Sequence, residues 1–241
     1  MASSIAQLAK ESRDYPLHEL PRIIQSAAKA AGLPSERPIT AAIRRLFEIV
    51  IAVFALIFAS PIMLALAIII RRDSPGPAIF RQVRVGRNGR LFSFCKFRTH
   101  FNNARELYPE LWRYDYAPEE LEALPVKRID DPRVTNVGRW LRKSTLDELP
   151  NFWNLLTGDI ALVGPRPDVP EMLPNYSRQQ MIKFSVKPGI TGLAQVRGRG
   201  RFKFQEMNRY DVEYVQKRSI LLDCKIVLET IKLLLLHDAT F

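Results

Sequence analysis

The chain has 241 residues, room for one or two domains, and 47% of them are hydrophobic, enough for a core. Its formal net charge of +11 implies an anionic partner: nucleic acid, anionic lipid headgroups or phosphorylated small molecules. Cys95 and Cys224 are too few and too far apart for a disulfide scaffold and fit a reducing, cytoplasmic setting. The chain has no GxxxxGK[ST] loop, no GxGxxG after a strand, no HExxH and no Cys/His cluster at zinc spacing, and His18, His100 and His237 are scattered. Phosphate chemistry would therefore need another scaffold.

Residues 1–40 contain two short helical stretches, LAKESRDY (8–15) and LHELPRIIQSAAKAAG (17–32), interrupted by Pro16, Pro21, Pro34 and Pro38. They read as a variable N-terminal extension with an interfacial helix. The segment 41–72 is built on an uncharged run of 22 residues, Ile49 to Ile70, with Arg44 and Arg45 before it and Arg71 and Arg72 after it. As a straight helix the run would be about 33 Å long, enough for the roughly 30 Å hydrocarbon core of a bilayer. Pro61, which follows Ser60 at the centre, cannot donate to the Ile57 carbonyl and forces a kink or break, so that each half is too short to cross alone. Arginines at both ends also conflict with the one-sided basic excess of a spanning helix. These features predict a re-entrant hairpin bent at Ser60 and Pro61 with both ends at the cytoplasmic face. A Pro-kinked single-pass helix is the reading left open beside it.

Ser74 to Pro77 predicts a turn out of the bilayer. Residues 78–85 and 90–99 then alternate around Gly86, Arg87, Asn88 and Gly89, as a β-hairpin does. Arg81, Arg84, Arg87 and Arg90 suit a solvated face or headgroup contact. Lys96 and Arg98 share a strand face and are better placed for phosphate. Residues 101–130 predict a polar, partly exposed helical insert remote from any chemistry. After it, Arg139 to Arg142 predicts a short basic helix, and Thr145 with Glu148 fits a capping box at the start of the next. The same placement keeps a carboxylate ionised, as a nucleophile toward phosphorus requires, so Asp147 and Glu148 have a structural and a chemical reading. Arg142, five positions before Asp147, is suited to neutralising a transferring phosphoryl group. VGPRP (163–167) presents Arg166 on a proline-stiffened loop that is either an anion-binding element or a tight surface turn. Lys187 to Ile190 suits a type II turn. Two C-terminal helices follow, over 204–219 and 220–237, the second strongly apolar.

In order, the motifs SPGP, RVGRNG, KFRT, DDPRVT, LRKSTLDELP, LVGPRP, KPGITGLAQV and LLDCKI resemble the bacterial sugar transferase family of polyprenol-phosphate phosphoglycosyl transferases, over roughly Arg44 to the C-terminus. The resemblance implies a helix-dominated α+β monotopic membrane protein. It would have a re-entrant hairpin over 41–72, a small β-hairpin and a cytoplasmic catalytic domain over 73–241. It implies transfer of a sugar-1-phosphate from a nucleoside diphosphate sugar, usually a UDP-sugar, to undecaprenyl phosphate at the bacterial inner membrane, with Mg²⁺ and release of UMP. Exopolysaccharide or a related glycan would begin there.

Carried over by motif, Asp147 is the nucleophile and Glu148 its metal-assisting partner. Lys96, Arg98 and Arg142 surround the phosphates. Gly164, Pro165, Arg166 and Pro167 form the nucleotide-binding loop, and Asp223 is a carboxylate near the active site. Three positions depart from the family pattern: His100 stands where Met is frequent, Arg197 where Asn is common, and Trp153 replaces a smaller residue. A homodimer stays open. Two other classes compete with this reading. A non-catalytic basic membrane module explains the charge but leaves the acidic pair unused. A membrane-tethered nucleic-acid binder has no recognition motif, so no nucleic acid is expected.

Overall fold

The structure, a computed structural model, describes residues 17–34, 36–126, 130–198 and 202–236. The helix expected over 8–15 lies outside them. The first helix, α1 (Leu20–Ala30), begins with Pro21 in its first turn, where the missing N–H is harmless. Leu20, Ile24 and Ala27 fall on one face at helical spacing and are buried against Met181, Ile182 and Phe184. The side expected to meet a membrane interface is thus turned into the protein core.

Helix α2 (Pro38–Asp73) runs for 36 residues and is long and apolar enough to cross a membrane. Helical structure continues through Pro61, so the expected bend does not divide it into two helices. The Ile57 carbonyl, which Pro61 cannot reach, instead accepts the Ser60 hydroxyl at 2.7 Å. The midsection is unpartnered: Phe54, Ile57, Phe58, Ile62 and Leu64 are 57, 61, 73, 52 and 66% exposed. Such a row of apolar side chains on a helix that carries no charge from Ile49 to Ile70 is stable in lipid, not in water, and the protein is membrane-associated through it.

Both ends of α2 dock on the same folded body. Near its start, Arg45 donates to the carbonyls of Leu155 and Leu156, both at 2.6 Å, and Glu48 accepts from the Leu162 amide at 3.2 Å. Ala52 packs on Phe92, Phe94, Leu155 and Ile160. Near its end, Leu66 and Ile70 pack on Phe97 and Leu141.

Strands β1 (Ile79–Val85) and β2 (Leu91–Phe97) form the expected hairpin, paired antiparallel from Ile79 opposite Phe97 to Val85 opposite Leu91. The outer edge of β2 is closed by one side chain. Asn154 donates to the Ser93 carbonyl at 2.8 Å and accepts from the Cys95 amide at 3.0 Å, standing in for a third strand. Beyond the hairpin come α3 (Ala104–Leu107), α4 (Pro118–Ala123), α5 (Asn136–Ser144) and α6 (Asn151–Thr157). Helix α5 sits so close to the hairpin's end that a Cβ on Gly138 would lie 2.1 Å from the Thr99 carbonyl oxygen.

A second, parallel pair joins β3 (Ala161–Val163) to β4 (Gly189–Thr191). The type II turn expected at Lys187 to Ile190 is not formed, because Gly189 is a strand residue and is not among the positive-φ glycines. Its glycine serves close approach: a Cβ there would lie 2.1 Å from the Gly164 amide nitrogen. Helices α7 (Leu193–Gly198), α8 (Phe204–Lys217) and α9 (Ile220–Leu235) complete the described chain, α9 keeping Leu221, Leu228 and Leu235 exposed.

Because Ile24 is fully buried under α1, Ile24→Ala should cost about 2–5 kcal/mol. Denaturant unfolding measures this, and a loss within about 0.5 kcal/mol, as for a surface site, would show that α1 is not part of the folded core.

Candidate active site

A cavity of about 330 Å³ lies between the hairpin, the start of the turn that follows α5, and the 166–172 segment. Asp147 and Glu148 line it with Lys96, Arg84, Arg142 and Arg166. The capping box that would have explained the two acids structurally is absent. Thr145 adopts a left-handed conformation (φ 59°) and makes no side-chain cap, and residues 146–148 form a single 3₁₀ turn. Glu148 turns away from the backbone to pair with the ammonium of Lys96 and the amide of Asn151. Asp147 is buried, 9% exposed.

Burial alone would raise the Glu148 carboxyl, but Lys96 and Arg166 outweigh it and hold the group below the usual carboxylate range. Burial also pulls the Lys96 ammonium down, with Glu148 opposing. Both stay charged because each is the other's partner. Among the described residues no three His, Cys, Asp or Glu side chains converge as a protein-only metal site. Mg²⁺ is ordinarily held by one or two carboxylates with phosphate oxygens and water completing the shell, and Glu148 beside Asp147 is a donor set of that kind. The Asn151 Oδ1 atom, buried next to Glu148 without a hydrogen-bond partner, is a further acceptor.

Of the phosphate candidates, Lys96, Arg142 and Arg166 reach the cavity. Arg98 does not line it. It leaves the end of β2 and is 4% exposed, donating to the Pro77 carbonyl (2.7 Å), the Ser74 hydroxyl (2.6 Å) and the Ser74 carbonyl (2.7 Å). It closes the C-terminus of α2, where orphan carbonyls need donors. Asp223 is also elsewhere: it accepts from the Tyr214 hydroxyl at 2.8 Å and pairs with Arg44 at 3.0 Å, tying α9 to the start of α2. Gly164, Pro165 and Pro167 hold the loop and leave the reach to Arg166. The Gly164 amide donates to Thr191, Pro165 accepts from Gly189, and Pro167 accepts from Arg84.

Several participants escaped the motif reading. Lys183 is fully buried and ion-paired with Asp168 (2.9 Å) and Asp211 (2.7 Å). Burial would lower its pKa, yet the two acids overcome this and raise it. Asp168 directly follows the VGPRP loop, so the triad fixes the loop's exit. No short spacing links 168, 183 and 211, and only the fold shows them together. Arg84, grouped with solvated arginines, lines the cavity because the hairpin turns its even-numbered face inward with Gln82 and Lys96.

The insert over 101–130, expected to lie apart, builds a wall instead. Trp112, Tyr114 and Tyr116 line the cavity, and Arg133 clamps this wall, lying 5.0 Å over the Trp112 ring and donating to the Leu111 carbonyl at 3.0 Å. Asp131 holds Arg133 at 2.7 Å and faces Arg142 at 3.8 Å. The alternation of aromatic and charged residues over Trp112 to Tyr116 was the signal of this in the sequence.

A helix long and apolar enough to cross a membrane and a cavity in which two carboxylates stand among four cations beside an aromatic wall thus belong to one protein. The sequence profile described as "Bacterial sugar transferase" matches residues 39–237. The chain belongs to that family. It is 41% identical over 194 residues to the galactosyl transferase CpsE of Streptococcus agalactiae, covering 80% of this chain and 42% of that protein. It is 36% identical over 221 residues to the exopolysaccharide production protein ExoY of Sinorhizobium fredii, covering 90% and 98%. It is 36% identical over 237 residues to a UDP-glucose:undecaprenyl-phosphate glucose-1-phosphate transferase of Caulobacter vibrioides, covering 95% and 83%. The chain thus spans less than half the length of CpsE and nearly the whole of ExoY.

His100 lies in the cavity wall with a pKa lowered to about 4, first by burial and then by Arg142 and Arg133, against Asp131. Its folded value is below the ordinary 6.5, so stability is complete above pH 6.5 and is lost as pH falls through about 4. His100→Gln should remove roughly 2–3 kcal/mol of this acid sensitivity. Denaturant titrations at neutral pH and near pH 4.5 check it, and an unchanged difference between the two would place the sensitivity elsewhere.

Proposed function

We propose that the chain transfers a sugar-1-phosphate from a UDP-sugar to undecaprenyl phosphate, releasing UMP, as the first step of exopolysaccharide or related glycan assembly. The observation that carries this reading is the Asp147–Glu148 pair set among Lys96, Arg84, Arg142 and Arg166 in a cavity beside the membrane helix. Names such as that of the Caulobacter relative support the donor and the acceptor.

In the mechanism we infer, a carboxylate oxygen of Asp147 attacks the sugar-bearing phosphorus. An aspartyl phosphosugar forms as the bond to the bridging oxygen breaks, and UMP leaves with that oxygen and its electron pair. A phosphate oxygen of undecaprenyl phosphate then attacks the same phosphorus and restores the Asp147 carboxylate. Lys96, Arg142 and Arg166 offset the negative charge that accumulates at each attack. Glu148, held by Lys96 and Asn151, keeps its charge beside the nucleophile. The residues fit Mg²⁺ held by Glu148 together with the donor's phosphates, where it would supply further positive charge to the phosphoryl oxygens. Trp112, Tyr114 and Tyr116 offer flat faces to the donor's rings.

On the membrane side, α2 is read as re-entrant, dipping into the cytoplasmic leaflet of the inner membrane and returning at Ser60 and Pro61. Docking of both its ends on one body supports this, since a helix crossing to the far side would carry one end away from it. Such an anchor holds the cavity at headgroup level, where a lipid-borne phosphate stops.

Asp147→Asn should abolish UMP release from UDP-sugar and undecaprenyl phosphate while membrane association persists. With donor alone, the unaltered enzyme should retain sugar label on Asp147. Strictly sequential kinetics with no labelled protein would exclude the covalent step. Pro61→Leu should straighten α2 and expose one of its ends to a periplasmic labelling reagent. Unchanged labelling would count against the re-entrant topology.

A further inference from the structure

A second, smaller cavity of about 260 Å³ lies at the turn end of the hairpin, lined by Arg87, Arg90, Phe92, Gly158, Asp159 and Lys187 among others. It is separate from the acidic pair: Phe92 is four positions along β2 from Lys96, roughly 13 Å of strand. Its depth is set by α2. Phe92 packs on Ala52, the fourth residue of the uncharged run. The opposite wall, at Gly158, is met by Arg45, whose guanidinium carbon would lie 3.1 Å from a Cβ placed there. Arg45 precedes the apolar run by four positions. The cavity therefore stands where α2 passes from water to lipid, the layer that headgroups occupy.

Its charges do not balance internally. Arg87 and Arg90 are exposed, and among the described residues neither has an acidic partner. The acids nearby are engaged: Asp159 accepts from the Thr157 hydroxyl at 2.7 Å, and Glu48 accepts from the Leu162 amide at 3.2 Å. Arg45 donates to the Leu155 and Leu156 carbonyls and lies 3.8 Å from Glu48, which matches its charge. In the cavity lining, three cations, Arg87, Arg90 and Lys187, thus face one carboxylate, Asp159. Burial lowers the Lys187 ammonium, Glu48 and Asp159 pull it back, and Arg45 and Arg87 push it lower, which an arriving anion would relieve.

We propose that this cavity binds the phosphate of an anionic phospholipid headgroup, gripped by Arg87, Arg90 and Lys187 beside the membrane helix. Charge complementarity names the ligand class, and continuity with α2 names its source. The inference needs only the membrane association and does not rest on the transfer reaction.

The test uses the full chain in neutral detergent micelles, doped with either dioleoylphosphatidylglycerol or dioleoylphosphatidylcholine and read by native mass spectrometry. The unaltered protein should retain the anionic phosphatidylglycerol preferentially. R87A/R90A should weaken that retention by about fivefold per removed charge. R71A/R72A, which removes two exposed arginines at the other end of α2, should leave it intact. Equal retention of the two lipids, unchanged retention in R87A/R90A, or equal loss in R71A/R72A would overturn the site. Displacement of the lipid by equimolar inorganic phosphate would overturn the lipid assignment in favour of a soluble anion. Melting temperatures accompany each variant, and should R87A/R90A fail to fold, Lys187→Gln is read against the same outcomes.

Discussion

A carboxylate taken out of water must be matched by positive charge or take up a proton, and the site side of this protein is arranged around that constraint. Glu148 stays ionised because Lys96 is against it and Arg166 is near. Those cations are themselves partly buried and need partners: Lys96 has Glu148, Arg142 has Asp131, and Arg84 has the Pro167 carbonyl and Gln82. Removing Lys96 would leave the buried Glu148 charge without its ion-pair partner, a larger loss than the bond itself.

One strand connects this charge balance to the membrane. Along β2, Phe92 and Phe94 meet the first half of α2, Phe97 meets the second half, and Lys96 between them faces the acidic pair. The side chain of Asn154 closes the strand's free edge, so helix α6, which follows the acidic turn, is bound to the same strand. Strand β2 thus ties the acidic pair to both halves of α2. The Lys183 triad does the equivalent for the VGPRP loop, anchoring Asp168 so that Arg166 projects from a fixed base.

The VGPRP loop also shows how a short motif divides its labour. Gly164 permits the close approach of β3 to β4, Pro165 and Pro167 accept backbone and guanidinium hydrogen bonds, and only Arg166 extends into the cavity. The insert that carries Trp112 is fastened by a different chain of contacts, through Arg133 and Asp131 to Arg142. The basic and the aromatic walls of the cavity therefore share the Asp131 carboxylate.

The sequence by itself determined what short-range rules encode. The uncharged run with its proline, the β-hairpin around Gly86 to Gly89, the two C-terminal helices, and an acidic pair flanked by basic motifs follow from periodicity, charge and spacing within one segment. Tertiary structure alone decided which side chains meet. Lys96 faces the cavity whereas Arg98, two residues on, caps α2, because the strand ends at Phe97 and the alternation that would have kept them together ends with it. Asp223 was drawn to Arg44 across 179 positions, and Asp168, Lys183 and Asp211 converge from three elements. Such pairings depend on where distant segments are brought by burial of apolar surface, and no local pattern in the chain records that.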